Sequence, residues 1–325
     1  MESSQYTLNK SVSFEGIGLH SGYPVNLTVK PAKANHGIRF KLAGNDHSMP
    51  AFLDRVVDTS LATTIAEKDM VFSTTEHLLA ALTGLGIDNA LIELNGPELP
   101  IMDGSAESFV NDLQKVSRKA QKSRRQFIKI TKEIQYTDGN KLVKILPHNG
   151  LKITCKIDFK HNLIKSQNYS LEISPESFSK EIASARTFGF LEQVEQLQQS
   201  GYALGGSLDN AVVVDKNGVM NKEGLRFEDE FVRHKILDVL GDITLLGYPL
   251  LGHVIAERSG HSQHYGLMKE LLSHPDSWQL IEMQETAGSG ILENLVNTTK
   301  NAGHKLKPFL TPLTDFADAA CTAAA

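Results

Sequence analysis

The sequence predicts an α+β chain of two similar domains, each a β-sheet layered on helices, with the helices packed between the two sheets and small inserted units. Three observations lead there. Short strand-like segments fill Gln5–Phe40 and recur over Phe127–Phe159, each time followed by segments of helical period. Between the two blocks, six of the eleven residues from Lys115 to Arg125 are basic and hydrophobic periodicity stops, as at a domain boundary. At 325 residues and 41% hydrophobic content, the chain is long enough for two cores. The expected division is 1–124 for the first domain and 125–298 for the second, with an inserted unit at about 188–223. A tail, 299–325, ends in Thr-Ala-Ala-Ala and is expected to fray.

In the first block, Val12–Phe14, Val25–Val29 and Ile38–Phe40 read as strands of an antiparallel sheet divided by Gly and Pro turns. The turn Gly16-Ile-Gly-Leu-His20-Ser-Gly22 carries a histidine among glycines. It serves a hairpin or offers backbone amides to an anion, and it follows no dinucleotide fingerprint. Ser73-Thr-Thr-Glu76-His77-Leu opens a helix that closes at Gly84, with Ser73 and Glu76 spaced as a capping box. The adjacent His77 leaves open a second role, in which the Glu76 carboxylate stands as a base beside a metal-bound imidazole. A strand over 89–94, a turn-rich stretch to Ser105 and a helix from Ala106 to about Val116 follow. The basic run after them reads as a solvated helix end and linker rather than a binding patch.

In the second block, strands over 127–134, 142–145 and 151–159 precede Ser184-Ala-Arg-Thr187-Phe-Gly-Phe190, where the period changes. Leu191, Val194 and Leu197 take helical spacing, then come Gly201, Gly205-Gly206 and a strand over 211–214, together a compact βαβ-like inserted unit. The strongest helix runs from Phe227 to a stop at Gly241, with Phe231, Val232, Ile236, Leu237, Val239 and Leu240 on its apolar flank. On its other face stand His234, Asp238 and Asp242, four apart. Cβ atoms at that spacing are about 5–6 Å apart, so the imidazole and a carboxylate can close on one metal ion at roughly 2.0–2.2 Å. Ordinary polar residues on a half-exposed helix would give the same pattern. Lys235 points about 100° away from that face. A glycine-rich strand over 250–256 ends at Arg258-Ser-Gly-His261, where a loop histidine suits proton transfer. A further helix runs from Gln263 to about Leu272.

The formal charge of −5, from 33 basic and 38 acidic residues, supplies no broad cationic surface, so no nucleic-acid partner is expected. Cys155 and Cys321 lack CxxC spacing and indicate neither a disulfide framework nor a thiolate zinc site, which suits a reducing cytoplasm. The stretch Met1-Glu-Ser-Ser-Gln-Tyr6 lacks a signal-peptide pattern, and the most apolar window, 243–256, is broken by glycines and Pro249. It falls short of the roughly 20 residues of a membrane span. A soluble cytoplasmic monomer with no integral membrane segment is expected.

Glu76, His77, Thr187, His234, Asp238 and His261 together supply three metal ligands, a carboxylate base, a hydroxyl donor and an imidazole acid, the parts of a hydrolase. In chain order stand Gly18-Leu-His20-Ser-Gly22, Ser73-Thr-Thr-Glu76-His77-Leu78, Gly86-Ile-Asp-Asn89, Pro100-Ile-Met-Asp-Gly-Ser105, Ser184-Ala-Arg-Thr187-Phe-Gly-Phe190, Leu204-Gly-Gly-Ser207, Gly224-Leu-Arg-Phe227-Glu-Asp-Glu-Phe231, Arg233-His-Lys-Ile-Leu-Asp238 and Ser259-Gly-His261. Over roughly residues 3–285 the chain so resembles the UDP-3-O-acyl-N-acetylglucosamine deacetylases, zinc enzymes of the committed step of lipid A synthesis in Gram-negative bacteria.

The resemblance implies one zinc ion per chain held by His77, His234 and Asp238, with Glu76 as general base, His261 as the acid on the leaving amine and Asp242 as its carboxylate partner. Thr187 would steady the oxyanion and Lys235 would meet the diphosphate of a UDP-linked acylated aminosugar. It also implies an acyl passage at Phe188, Leu191, Val194, Ala203, Gly206, Ala211 and Val213, where periodicity alone would make the same stripe a small core. Phe159 resembles the ring that stacks on uracil, and Arg258 stands where a lysine is common. His20 joins the substrate-binding set, and Leu61-Ala62-Thr63 resembles a stretch at the mouth of the site. Two departures stand out: Asp158-Phe-Lys-His161-Asn replaces the usual Asp-Phe-x-His-Pro, and residues 61–63 lack a frequent cysteine. Two other functions fit the parts. A related zinc amidase on another acylated nucleotide sugar would be separated by acetate release from UDP-linked and UDP-free sugars. A catalytically silent nucleotide-sugar binding protein would be separated by whether His77→Ala loses stoichiometric zinc.

Overall fold

The computed structural model describes residues 2–161, 164–285 and 291–295, with backbone only for 284–285 and 291–295; the expected tail, 299–325, lies outside them. The chain is α+β. Among the described residues the α-helices are α1 (Glu76–Gly84), α2 (Glu107–Val116), α3 (Pro175–Glu181), α4 (Leu191–Gln199), α5 (Glu230–Ile243) and α6 (His261–Ser273). None is long and apolar enough to cross a membrane.

The first sheet has five strands in the order Val12–Ile17, Pro24–Pro31, Ala90–Leu94, Ile38–Leu42, Met49–Pro50. Alternate residues, Val25, Leu27 and Val29 on one strand and Ala90, Ile92 and Leu94 on the next, are buried, as a sheet with one covered face requires. Phe14 meets Phe109 of α2 edge to face at 5.0 Å between ring centroids. The sheet is mixed rather than antiparallel: Ile38–Leu42 runs parallel to Ala90–Leu94. The chain between those strands includes α1, the long crossover that a parallel pair needs.

Among the described residues the second sheet has eight strands around Leu250–Glu257, which runs antiparallel to Lys141–Leu146 and parallel to Leu151–Asp158. Its inward residues, among them Val143, Ile145, Ile153 and Val254, are buried. α5 lies against Leu151–Asp158 and α6 against Ile134–Asp138, while α1 packs on α5 in the middle of the molecule. α1, α2, α5 and α6 therefore form the helical layer between the two sheets, while α4 packs on the small inserted sheet.

Two local expectations are corrected, and one helix had none. The basic run is not a linker: Arg118–Arg124 is a strand antiparallel to Ser4–Leu8, with Lys119, Lys122 and Arg124 exposed. α5 does not stop at Gly241. It runs to Ile243 and into a 3-10 turn, and the left-handed glycine that ends it is Gly247, at φ 78°. Gly241 has a different reason to be glycine, since a Cβ there would collide with the Glu76 carbonyl oxygen; α1 and α5 approach backbone to backbone at that point. α3, which hydrophobic periodicity does not announce, is capped by Ser174, whose hydroxyl accepts from the Ser177 N–H.

Candidate active site

Glu76 and His77 open α1, and His234, Asp238 and Asp242 succeed one another along α5; all five are buried. The capping-box reading of Glu76 is overturned. Thr74 sits at φ 56°, which puts Ser73 outside the first turn, and the residue preceding the helix, Thr75, makes no side-chain cap. The Glu76 carboxylate instead accepts from the Thr63 N–H at 3.1 Å. Burial pushes its pKa up to about 7, against the opposing pull of His261.

His77, His234 and Asp238 offer one ligand atom each within 4.8 Å of one another. His234 Nε2 lies 3.3 Å from Asp238 Oδ1, and His77 Nε2 lies 3.9 Å from the same oxygen. These approaches are not salt bridges. Burial and the neighbouring His234 press the His77 pKa down to about 3, and burial also lowers that of His234, so both rings are neutral. His234 Nδ1 lies 3.0 Å from the Ala185 carbonyl oxygen; a neutral ring must donate there, which leaves the Nε2 lone pair facing a carboxylate. Burial resists ionisation of Asp238; a charged His234 would oppose it, and with that ring neutral the Lys235 ammonium, bonded at 2.7 Å, still draws the carboxyl below the usual range. A lone pair on His234 set against an ionised carboxylate calls for a cation. The orphaned, buried His77 Nδ1 calls for a further partner on that ring. Two neutral imidazoles and a carboxylate fit a zinc ion with a coordination position left open.

The Ala185 carbonyl is placed by a clamp. Arg186 donates from its backbone N–H and Nε to Glu230 Oε1, at 2.9 and 2.8 Å, tying Ser184–Thr187 to the first residue of α5. Lys235 does not point away from the cluster: its Nζ donates to Asp238 Oδ2 at 2.7 Å, and it lies 5.5 Å from the Phe188 ring centroid.

His261 is not on a loop but is the first residue of α6, preceded by Gly260. Its Nε2 lies 3.7 Å from Glu76 Oε1 and its Nδ1 2.7 Å from Asp242 Oδ2. A helix N-terminus disfavours a cation, and burial does too, yet Asp242 and Glu76 together raise the imidazole to about 10. Asp242 also accepts from the Thr63 hydroxyl at 2.6 Å and lies 2.6 Å from His264 Nδ1. His261 and His264 outweigh its burial and keep it ionised. The chemistry available is thus a base that titrates near neutrality, an imidazolium across from it and a cation pocket beside both.

The remaining expected residues lie around this centre. Thr187 donates its N–H to the Gly104 carbonyl at 2.7 Å and leads into Phe188–Phe190. Phe188 meets His234 at 6.4 Å and Phe159 at 5.8 Å between centroids. Phe159, His161, Phe190, Leu191 and Val214 line an open cleft of about 430 Å³. Phe188–Phe190 runs parallel to Val212–Asp215 with α4 between them, the βαβ unit expected there. α4 buries no side chain: Leu191, Val194 and Leu197 are half-exposed. Ala203 and Val213 are buried, Ala211 is half-buried, and Gly206 donates its N–H to the Ala203 carbonyl. Arg258 donates to the Asn140 carbonyl at 2.8 Å. Leu61 is exposed, but Ala62 and Thr63 are buried, so Thr63 belongs to the centre rather than its mouth.

The glycine loop resolves its own alternatives. The backbone N–H groups of His20 and Ser21 do meet an anion, and it is the protein's own Glu98 carboxylate, at 2.7 and 2.8 Å. The His20 ring nitrogens are buried without partners, and burial lowers its pKa. Sequence reasoning missed Arg186, Glu230, Glu98 and His264. The first two lie inside the motif strings Ser184–Phe190 and Gly224–Phe231; His264 stands three residues after His261, a helical spacing.

Comparison with known proteins bears on this arrangement. A family model described as UDP-3-O-acyl N-acetylglycosamine deacetylase matches residues 5–273. Relatives named UDP-3-O-acyl-N-acetylglucosamine deacetylase include one from Syntrophotalea carbinolica, 48% identical over 290 residues, covering 89% of this chain and 94% of the relative. Another, from Citrifermentans bemidjiense, is 49% identical over 285 residues, covering 87% and 93%. One from Myxococcus xanthus is 44% identical over 292 residues, covering 89% and 93%.

Proposed function

The chain belongs to the UDP-3-O-acyl-N-acetylglucosamine deacetylase family, and from that premise we propose that it is a zinc-dependent amidohydrolase. It removes the N-acetyl group from UDP-3-O-(3-hydroxyacyl)-N-acetylglucosamine and releases acetate, as the committed step of lipid A synthesis. The observation that carries the zinc reading is the meeting of neutral imidazole and ionised carboxylate at His77, His234 and Asp238, directly beside Glu76. Bound there, zinc would lower the pKa of a water towards ~7 and polarise the amide carbonyl.

The protein's own groups do the rest. Glu76, with a pKa of about 7, takes a proton from the attacking water; a cation held beside it would draw that value down. His261 stays protonated across the neutral range and gives its Nε2 proton to the departing amine. Asp242 holds the ring by Nδ1. Thr187 supports the developing oxyanion, where loss of one donor costs about 3 kcal/mol of barrier. Lys235, shared between Asp238 and the face of Phe188, meets the diphosphate. Phe159 and Arg258 take the uridine, and the half-exposed apolar face of α4 with Phe188, Ala203, Gly206, Ala211 and Val213 takes the acyl chain. His20 and Leu61–Thr63 complete the substrate-binding set, and the functional division of the chain is 1–124 and 125–298.

Metal analysis run alongside acetate release tests this. One zinc per chain and acetate from the UDP-linked acylated sugar are expected, with both lost in His77→Ala. Acetate released equally well from a UDP-free sugar would instead favour an amidase of other specificity, and nucleotide-sugar binding with neither zinc nor turnover would favour a binding protein.

A further inference from the structure

We propose that His264 is a positioning residue for the proton-donating imidazole, acting through Asp242; the inference rests on the deacetylase reading of this site. His264 lies on α6 one turn beyond His261 and is buried at 1% exposure. Its Nδ1 is 2.6 Å from Asp242 Oδ2, the same oxygen that His261 Nδ1 meets at 2.7 Å. The two imidazole rings stand nearly perpendicular, at 85°, with centroids 6.1 Å apart. At its far end His264 Nε2 meets the Ser259 hydroxyl at 2.9 Å. With Nδ1 donating to the carboxylate, Nε2 faces a hydroxyl that can serve as donor or acceptor, so the ring is engaged at both ends.

Asp242 is held at both oxygens, by Thr63 on Oδ1 and the two histidines on Oδ2. Without His264, Oδ2 is fixed only by the group it has to orient. The carboxylate can then turn about its Cβ–Cγ bond and carry the His261 ring with it, moving Nε2 from its place 3.7 Å from Glu76. His264 also shares the carboxylate's charge, and so moderates how strongly Asp242, bonded at Nδ1, stabilises the His261 ring. His264 groups with Asp242 and His261, apart from His77, His234 and Asp238.

The test uses the full-length, zinc-loaded protein with two substitutions. His264→Leu removes the Nδ1 donor and keeps an apolar filling; His264→Asn returns an N–H donor near the Nδ1 position. The expected outcome is a fall in kcat of about 10- to 100-fold for His264→Leu, the usual range for a partner behind a directly acting residue. KM and zinc content stay unchanged, and His264→Asn regains most of the loss. In 15N NMR, the His261 Nδ1 resonance is displaced by His264→Leu and restored by His264→Asn. Wild-type kcat in His264→Leu, a loss carried by KM, or His264→Asn no better than His264→Leu would overturn the proposal. Should His264→Leu not fold, His264→Gln serves: its amide reaches the Nε2 side, so it keeps Ser259, loses Asp242 and is expected to behave as the leucine variant. If the wild-type protein releases no acetate, the deacetylase reading fails; the His261 resonance, which needs no substrate, then decides the positioning alone.

Discussion

The crossing of α1 and α5 and the inserted unit around α4 are both parts of the proposed active site, and they are built in opposite ways. At the crossing, Glu76, His77, His234, Asp238 and Asp242 are all buried, and the helices meet so closely that Gly241 has no room for a side chain. The polar groups there have their orientation fixed from behind: Glu76 by the Thr63 amide, His234 by Ala185, Asp242 by Thr63, His261 and His264. α4, by contrast, is a nine-residue helix with no buried residue, presenting a half-exposed apolar stripe. Proton and metal chemistry tolerates displacements of only a few tenths of an ångström, so it sits where packing over-determines the geometry. Chain-length recognition needs only an apolar surface of the right extent, which a thin, solvent-facing unit can supply and vary.

Changes at the crossing should abolish turnover, whereas changes in the inserted unit should redirect it. The largest effect is expected of Glu76→Gln, which keeps the bond from Thr63 but removes the base: kcat should fall by about 10²–10⁴-fold with zinc content unchanged. A loss of zinc in that variant would show Glu76 to be a ligand instead. Next is Arg186→Leu, which keeps the backbone donors to Glu230 but leaves that buried carboxylate without its guanidinium; a loss of about 3–5 kcal/mol is expected for such a pair, read by urea denaturation. A change of only a few tenths would show that the clamp matters less than its burial suggests.

A smaller effect should come from Ala211→Leu, which narrows the inserted unit. The ratio of kcat/KM between long and short acyl substrates should shift by about 10- to 200-fold, the range for one or two methylenes in an apolar pocket, while activity on the shortest substrate persists. An unchanged preference would remove the inserted unit from the acyl passage. Ala203 is a poorer position for this experiment because it sits at φ 52°, where a branched side chain adds backbone strain.

The smallest expected effect is in pH dependence. His261, raised to about 10, should give kcat/KM a basic limb well above neutrality, and Asp242→Asn should bring that limb down because it removes the largest stabiliser of the imidazolium. The linked effect on stability has a definite sign. A histidine raised above its unfolded value of ~6.5 contributes fully below that pH, and its contribution is lost as pH rises towards 10. A basic limb unmoved in Asp242→Asn would separate Asp242 from the proton donor.

The same contrast explains what was legible in the sequence. Regular spacing marks the crossing: four-residue intervals along α5 are enough to pick out His234 and Asp238. The βαβ order of the inserted unit is equally readable, since period changes from two to 3.6 and back. Missed features depend on backbone conformations that composition does not announce. Thr74 in the left-handed region turns an apparent capping box into a different use of Glu76. Gly241 reads as a helix stop because glycine usually is one, and only the facing α1 backbone shows otherwise. Placing His261 on a loop conceals His264, although the spacing that links His234 to Asp238 has its near equivalent, one turn apart, in α6. The parallel pairing of Ile38–Leu42 with Ala90–Leu94 joins residues some fifty positions apart, beyond the reach of local pattern.

The central claim is that two neutral imidazoles and a carboxylate from α1 and α5 hold one catalytic zinc ion beside Glu76. Metal content and acetate release, measured on the same preparations of wild-type protein and His234→Ala, test it most directly. One zinc per wild-type chain is expected, with turnover that disappears on chelation and returns with added zinc; His234→Ala should lack both metal and turnover while remaining folded. Full turnover by a metal-free wild-type protein, or by His234→Ala without zinc, would contradict the account.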